Sequence, residues 1–274
     1  MPTKQVNGVE IYYEIQGSGE PILLVPPNWW PCATWNVGVV PTLSKRFRTI
    51  IYDGRGTGRS AKPAEGYNVR QFASDGIGLL EQLGVGRCHL FGFAIGGQIV
   101  QAMAIERPEL AASLTIATTG PGVRRLDGTL REVEPEALDE IHKIGFEKYI
   151  LENIDNDQMA YNPEFYRSHR QQAAELARAL WSGQSTVEQY RAHELARLTW
   201  DTLAEAPKVN VPTLILCGAD DAVERRGSTR RLAPLIPGAE LALVPGVRHM
   251  TFWDGDGALK TLQDFIERHP IGSK

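Results

Sequence analysis

The stretch Leu90-Phe91-Gly92-Phe93-Ala94-Ile95-Gly96-Gly97 constrains this chain more than any other. The apolar run Cys88 to Phe91 reads as a buried strand, and Gln98 to Glu106 reads as a helix packed on it. Between them stand Gly92, Gly96 and Gly97, where a strand must turn sharply into a helix. Glycine is required at such a turn because a Cβ beside it would collide with its neighbours. The layout Gly-x-nucleophile-x-Gly aims one side chain out of a strained turn. The aimed position is 94, and it holds alanine. Alanine gains nothing from a left-handed backbone and costs about 1 kcal/mol there. The frame for a reacting hydroxyl is in place, and the hydroxyl is missing.

The rest of the chain supplies a sheet for that turn. Val9 to Ile15 alternates and is rich in β-formers, and Asn7-Gly8 before it predicts a hairpin with Lys4 to Val6. Pro21 to Val25, Thr49 to Tyr52, Ser113 to Ala117, Pro212 to Cys217 and Ala239 to Val244 are short apolar runs, expected to be strands. Val39 to Arg46, Val69 to Leu83, Gly227 to Leu235 and Gly257 to Arg268 read as helices between them. Strands alternating with helices at this spacing predict an α/β fold with a mostly parallel sheet flanked by helices. Ligands on such sheets bind beyond the carboxyl ends of the strands, so the loops after Val25, Tyr52, Phe91, Ala117 and Cys217 should form one rim.

From Gly120 to about Pro207 the strand signals vanish. Pro135 to Asn153, Pro163 to Ala179, Thr186 to Leu195 and Thr199 to Ala206 read as helices, with Tyr149, Tyr161, Phe165, Tyr166, Trp181, Tyr190 and Trp200 among them. The expected division is a core of residues 1–120 and 207–274 with a helical cap of 121–206 over the rim.

Bulk properties exclude several classes of function. A net charge of −4 argues against nucleic acid or an anionic membrane as partner and leaves a small molecule. A homodimer is compatible with this composition. Three widely spaced cysteines suit a reducing, cytoplasmic setting without a disulfide framework or a zinc site. Gly54-Arg55-Gly56-Thr57-Gly58 is not a dinucleotide fingerprint, and His193-Glu194 lacks the second histidine of a zinc helix. No metal or cofactor is implied.

Four motifs in order resemble the α/β-hydrolase fold superfamily over nearly the whole chain. Asp53-Gly54-Arg55-Gly56-Thr57-Gly58-Arg59-Ser60 is similar to its Asp-x-Arg-Gly-x-Gly-x-Ser turn. Gly92-Phe93-Ala94-Ile95-Gly96-Gly97 differs from Gly-Phe-Ser-Ile-Gly-Gly at one residue. Cys217-Gly218-Ala219-Asp220-Asp221 resembles the acid turn, and Gly246-Val247-Arg248-His249 resembles the histidine loop. The resemblance implies a nucleophile at position 94, an acid at Asp221 and a base at His249, in the chain order of this fold. Acyl transfer requires those three roles. Spacing after Gly218 favours Asp221 over Asp220, which reads as a turn former.

An oxyanion hole needs backbone N–H groups. The resemblance assigns one to Ile95 and one to the loop after Val25, where Pro26 and Pro27 have no N–H. Asn28 or Trp29 is left as the second donor. Trp29 and Trp30 either stack on a flat apolar group of the ligand or pack beneath the cap, and Trp181 joins them as a candidate substrate contact. The expected function is a serine hydrolase of a carboxylic ester or lactone with a bulky apolar or aromatic part, inactivated by serine-to-alanine replacement at 94. Two alternatives stay open. One is a natural ligand-binding member without hydrolytic activity, and the other is a C–C hydrolase or cofactor-free oxygenase that uses the histidine as base.

Overall fold

The computed structural model describes residues 1–27, 29–123, 162–183, 186–221 and 228–272. Eight strands form one sheet: β1 (Thr3–Val6), β2 (Val9–Gln16), β3 (Pro21–Val25), β4 (Arg48–Tyr52), β5 (Cys88–Phe93), β6 (Ala111–Ala117), β7 (Thr213–Gly218) and β8 (Glu240–Val244). Their order is β1-β2-β4-β3-β5-β6-β7-β8. The hairpin β1-β2 and the pair β2-β4 are antiparallel, and every pairing from β4 to β8 is parallel. The Asn7-Gly8 turn has positive φ at both residues, as the predicted hairpin requires.

Alternation along the central strands divides the core in two. Leu23, Val25 and Leu90 join Phe72, Leu79, Val100 and Met103 on one face. Ile22, Leu24, Phe91 and Phe93 join Trp35, Leu43, Leu262 and Phe265 on the other. Residues one apart on a strand point to opposite faces. A strand buried on both faces must therefore be apolar throughout, and these short runs are.

The helices of the sheet layers are α1 (Val39–Leu43), α2 (Val69–Gln82) and α3 (Ile95–Glu106). Asn68 caps α2, its side chain accepting from the Gln71 N–H. Between β6 and β7 the described residues add α4 (Pro163–Ser168), α5 (Arg170–Trp181), α6 (Val187–Ala196) and α7 (Thr202–Glu205). A capping box of Thr186 and Gln189 starts α6. After β7 come α8 (Ser228–Leu232) and α9 (Gly257–Glu267).

Some element boundaries differ from the expected ones. The first helix ends at Leu43 rather than Arg46, and the run expected as one helix from Pro163 breaks at His169. The elbow helix starts at Ile95, directly after the turn, not at Gln98. The helix expected over Pro135 to Asn153 lies outside the described residues.

Candidate active site

At the carboxyl end of β5 the chain turns through Ala94, whose φ is 53° and ψ −118°. Non-glycine residues avoid that region, and it persists only where the surroundings hold it. Here the Ala94 N–H donates to the Ala117 carbonyl at 2.9 Å. The Ala94 carbonyl accepts from the Gly97 N–H at 3.0 Å and from Thr119 Oγ1 at 2.9 Å. The three glycines have no room for a side chain. A Cβ would lie 2.1 Å from the Gly96 carbonyl oxygen at Gly92, 2.4 Å from the Val25 oxygen at Gly96, and 1.9 Å from Thr119 Oγ1 at Gly97. The close approach at Gly96 also sets the end of β3, and so the Pro26 loop, against the elbow.

The acid and the base come together from the next two strand ends. Gly218 closes β7, and a Cβ there would lie 2.3 Å from the Val247 carbonyl oxygen and 2.5 Å from that of Arg248. Glycine at 218 thus lets the histidine loop lie on the acid turn. Asp221 Oδ2 is 3.1 Å and Oδ1 3.3 Å from His249 Nδ1. The Asp221 side chain is fully buried, whereas 32% of the His249 side chain is exposed. A buried carboxylate facing Nδ1 favours the tautomer with a proton on that nitrogen, leaving the Nε2 lone pair as acceptor. The imidazole centroid is 5.6 Å from the ring of Phe93, the residue before Ala94. Asp220 is exposed, with its N–H bonded to the Val247 carbonyl. Of the two neighbouring aspartates, Asp221 is the one that meets His249.

Asp254 braces the same loop. Its buried carboxylate accepts the Arg248 N–H at 2.8 Å and the Asn162 N–H at 2.7 and 2.8 Å. Burial raises its pKa, opposed by those backbone bonds.

Of the expected oxyanion residues, Asn28 lies outside the described residues. Ile95 is buried as the first residue of α3, where N–H groups have no carbonyl partner within the helix. The Trp30 N–H is used in a turn, donating to the Pro27 carbonyl at 3.0 Å. Trp29 is buried, with its ring 5.6 Å from Tyr190 of α6. Trp30 is half-buried, 6.3 Å from Phe93 and 5.9 Å from Trp253. Trp181 is partly buried against the same cluster. The tryptophan pair thus packs between core rings and the helices that follow β6.

Several neighbours gave no signal in the sequence. Trp35 and Trp253 come from opposite ends of the chain, yet they stack at 5.2 Å beside Trp30 and Phe93. Asp53 is buried and accepts from the Cys32 N–H at 2.6 Å and the Arg59 N–H at 2.8 Å. It thereby anchors the chain just after the Pro26 to Pro31 loop. The Asp53 motif was legible as a turn, but its bond to Cys32 joins residues that only the fold brings together. Among the described residues no cluster of His, Cys, Asp and Glu could hold a metal ion, and no helix is long and apolar enough to cross a membrane. Cys32, Cys88 and Cys217 are buried, and none of them is in a disulfide.

The family model of the alpha/beta hydrolase fold matches residues 26–256. The chain belongs to that family. This α/β-hydrolase is 29% identical over 242 residues to a Stutzerimonas stutzeri (strain A1501) protein bearing the provisional name of a carbamate hydrolase, RutD, covering 85% of this chain and 88% of the relative. It is 26% identical to a non-heme haloperoxidase of Rhodococcus erythropolis, covering 95% and 97% of the two chains. The crystal structure of the enol-lactonase from Burkholderia xenovorans LB400 superposes with a TM-score of 0.81 at 24% identity, covering 96% of this chain and 99% of the other. At that identity the likeness is one of fold.

Proposed function

We propose that the site is built for hydrolysis of a carboxylic ester or lactone with a bulky apolar or aromatic part, and that alanine at position 94 deprives this chain of the covalent step. The observation carrying this reading is the His249–Asp221 pair at 3.1 Å, standing beside an elbow held at φ 53°. A wholly buried carboxylate is costly to keep unless an oriented cation or N–H donor uses it. With a hydroxyl at 94, its oxygen attacks the carbonyl carbon while its proton passes to His249 Nε2. The oxyanion draws on the N–H of Ile95 and a donor of the Pro26 to Pro31 loop. The C–O bond to the leaving alcohol breaks, and that alcohol takes the proton from the imidazolium. Water, deprotonated by His249, then releases the acid. Trp29, Trp30 and Trp181 form the apolar wall, and the helices between β6 and β7 act as its cap. The carbamate-hydrolase and enol-lactonase names of similar proteins are in keeping with acyl chemistry.

The test is Ala94→Ser assayed on aryl esters, lactones and carbamates. The expected result is hydrolysis about 10³-fold or more above the alanine protein. No gain on any of them would refute the reading. A second reading draws on the same pair, which is complete without a hydroxyl: His249 serves as a general base on water or on a substrate C–H. It predicts that the alanine protein itself turns over an aromatic substrate and loses that activity in His249→Ala.

A further inference from the structure

The tip of β6 carries two adjacent threonines, Thr118 and Thr119, both buried. Thr118 has φ 53°, a genuine outlier for a β-branched residue. Such strain survives only where several contacts hold it.

The two hydroxyls reach different parts of the site. Thr119 Oγ1 stands between two carbonyl oxygens, that of Ala94 at 2.9 Å, just beyond the strained φ of the elbow, and that of Ala117 at 3.0 Å. Gly97 clears the way for it, since any Cβ at 97 would lie 1.9 Å from that hydroxyl. Thr118 Oγ1 is 3.0 Å from Thr251 Oγ1. Thr251 is fully buried and two residues past His249; its hydroxyl bonds the Arg248 carbonyl at 2.9 Å, and its N–H bonds the His249 carbonyl at 2.7 Å. With the Thr251 proton directed at Arg248, Thr118 is the donor to Thr251. The Thr118 N–H meanwhile bonds the Leu216 carbonyl of β7 at 2.8 Å, fixing the turn to the strand that leads to Asp221.

We propose that Thr118 and Thr119 are positioning residues that set the histidine loop and the elbow in register. Thr119 fixes the direction in which residue 94 points. Thr118, through Thr251, fixes how far the His249 ring stands from it. One strand tip therefore controls the separation of residue 94 and the His249 ring. A displacement of about 1 Å at such a pair costs up to about 10²-fold in rate. The proposal rests on reading residue 94, Asp221 and His249 as one reaction centre.

Two readouts test it, one of which needs no activity. In the alanine protein, the His249 imidazole resonances are followed by NMR. Among the described residues, Asp221 and Phe93 face that ring. Thr118→Val and Thr251→Val both break the bond between the two hydroxyls and are expected to shift those resonances, Thr251→Val more because it also loses its bond to the Arg248 carbonyl, and Thr118→Ser is expected to restore them. In the Ala94→Ser background, Thr118→Val and Thr119→Val are expected to lower kcat about 10- to 100-fold with KM within about twofold, and each serine variant to recover most of the loss. Thr118→Gly, which relieves the strained φ but removes the hydroxyl, is expected to keep the melting temperature and still lower kcat. Unchanged His249 resonances in a folded Thr251→Val protein would overturn the proposal. So would a kcat that follows thermal stability alone across the series. Failure of Ala94→Ser to hydrolyse anything refutes the proposed reaction, while the NMR arm still decides whether the threonines orient His249.

Discussion

Two of the imidazole–carboxylate pairs on this sheet, His89 with Glu20 and His249 with Asp221, are built inside out relative to each other. At the amino ends of the strands, His89 pairs in register with Ile22 of β3 and Ser113 of β6. Its Nδ1 is 2.8 Å from Ser113 Oγ and its Nε2 3.1 Å from Glu20 Oε2. Serine, histidine and acid are all present, in short contact. Yet the His89 side chain is 1% exposed, and the half-open member is the acid, Glu20, at 37%. At the carboxyl ends the acid Asp221 is sealed and the imidazole of His249 is open, with the hydroxyl absent at 94. The right residue types in short contact do not by themselves make a site. A base must face a ligand while its acid is shielded, and in parallel sheets that arrangement belongs at the carboxyl ends. The amino-end set instead ties strands together, and burial holds the His89 pKa down despite Glu20.

The largest effects should separate the two sets by catalysis. In the Ala94→Ser background, His249→Ala is expected to lower ester kcat by about 10³-fold or more. His89→Ala should leave kcat within about threefold wherever the protein stays folded. Equal losses from both would dissolve the contrast.

Packing at the two ends of β5 gives the next test. Gly97→Ala puts a methyl on Thr119 Oγ1 and is expected to cost about 3 kcal/mol in urea unfolding. A methyl at Gly86, just before β5, would meet nothing within 4 Å, so Gly86→Ala should be neutral or stabilising by up to about 1 kcal/mol.

A third imidazole sharpens the role of exposure. His193 of α6 is buried, stacks on Phe72 at 5.3 Å, and has Nε2 3.4 Å from Thr57 Oγ1. Burial pushes its pKa down to about 4, against a hydrogen bond to the Arg55 backbone. Below pH 6.5 the unfolded chain takes up a proton that the folded chain refuses until about pH 4. Stability contributed by neutral His193 is therefore full above pH 6.5 and lost as pH falls to about 4, by about 3 kcal/mol in all. His193→Phe should flatten that part of the denaturation profile. An unchanged slope would contradict the assignment.

The smallest effects are local. Ala94→Gly should stabilise by about 1 kcal/mol, because glycine tolerates φ 53°. Ser113→Ala should cost about 1 kcal/mol by leaving His89 Nδ1 without its partner.

Much of this was legible in the chain. The apolar runs marked β3 to β7 because strands covered on both faces admit little else, and Gly92, Gly96 and Gly97 marked the elbow because nothing larger fits. The meeting of Asp221 with His249 was expected from motif order. What stayed hidden depends on long-range packing. Nothing near Thr118 announces that its hydroxyl meets Thr251, and nothing near Asp53 announces Cys32. His193 falls in a run expected to be helical, but nothing in the sequence announces that α6 lays it against Phe72 and Tyr67 in the core. The break at His169 has a local cause, since its ring stacks on Phe165 at 3.8 Å and its Nδ1 lies 3.0 Å from the Phe165 carbonyl oxygen.

Mass spectrometry of the Ala94→Ser protein after treatment with a fluorophosphonate tests the central claim most directly. Such a reagent modifies a serine only where a base has activated it and donors hold the developing oxyanion. One adduct is predicted, on residue 94, abolished by His249→Ala, and none in the alanine protein. An adduct on Ser113, or no adduct at residue 94 in the folded variant, would contradict it.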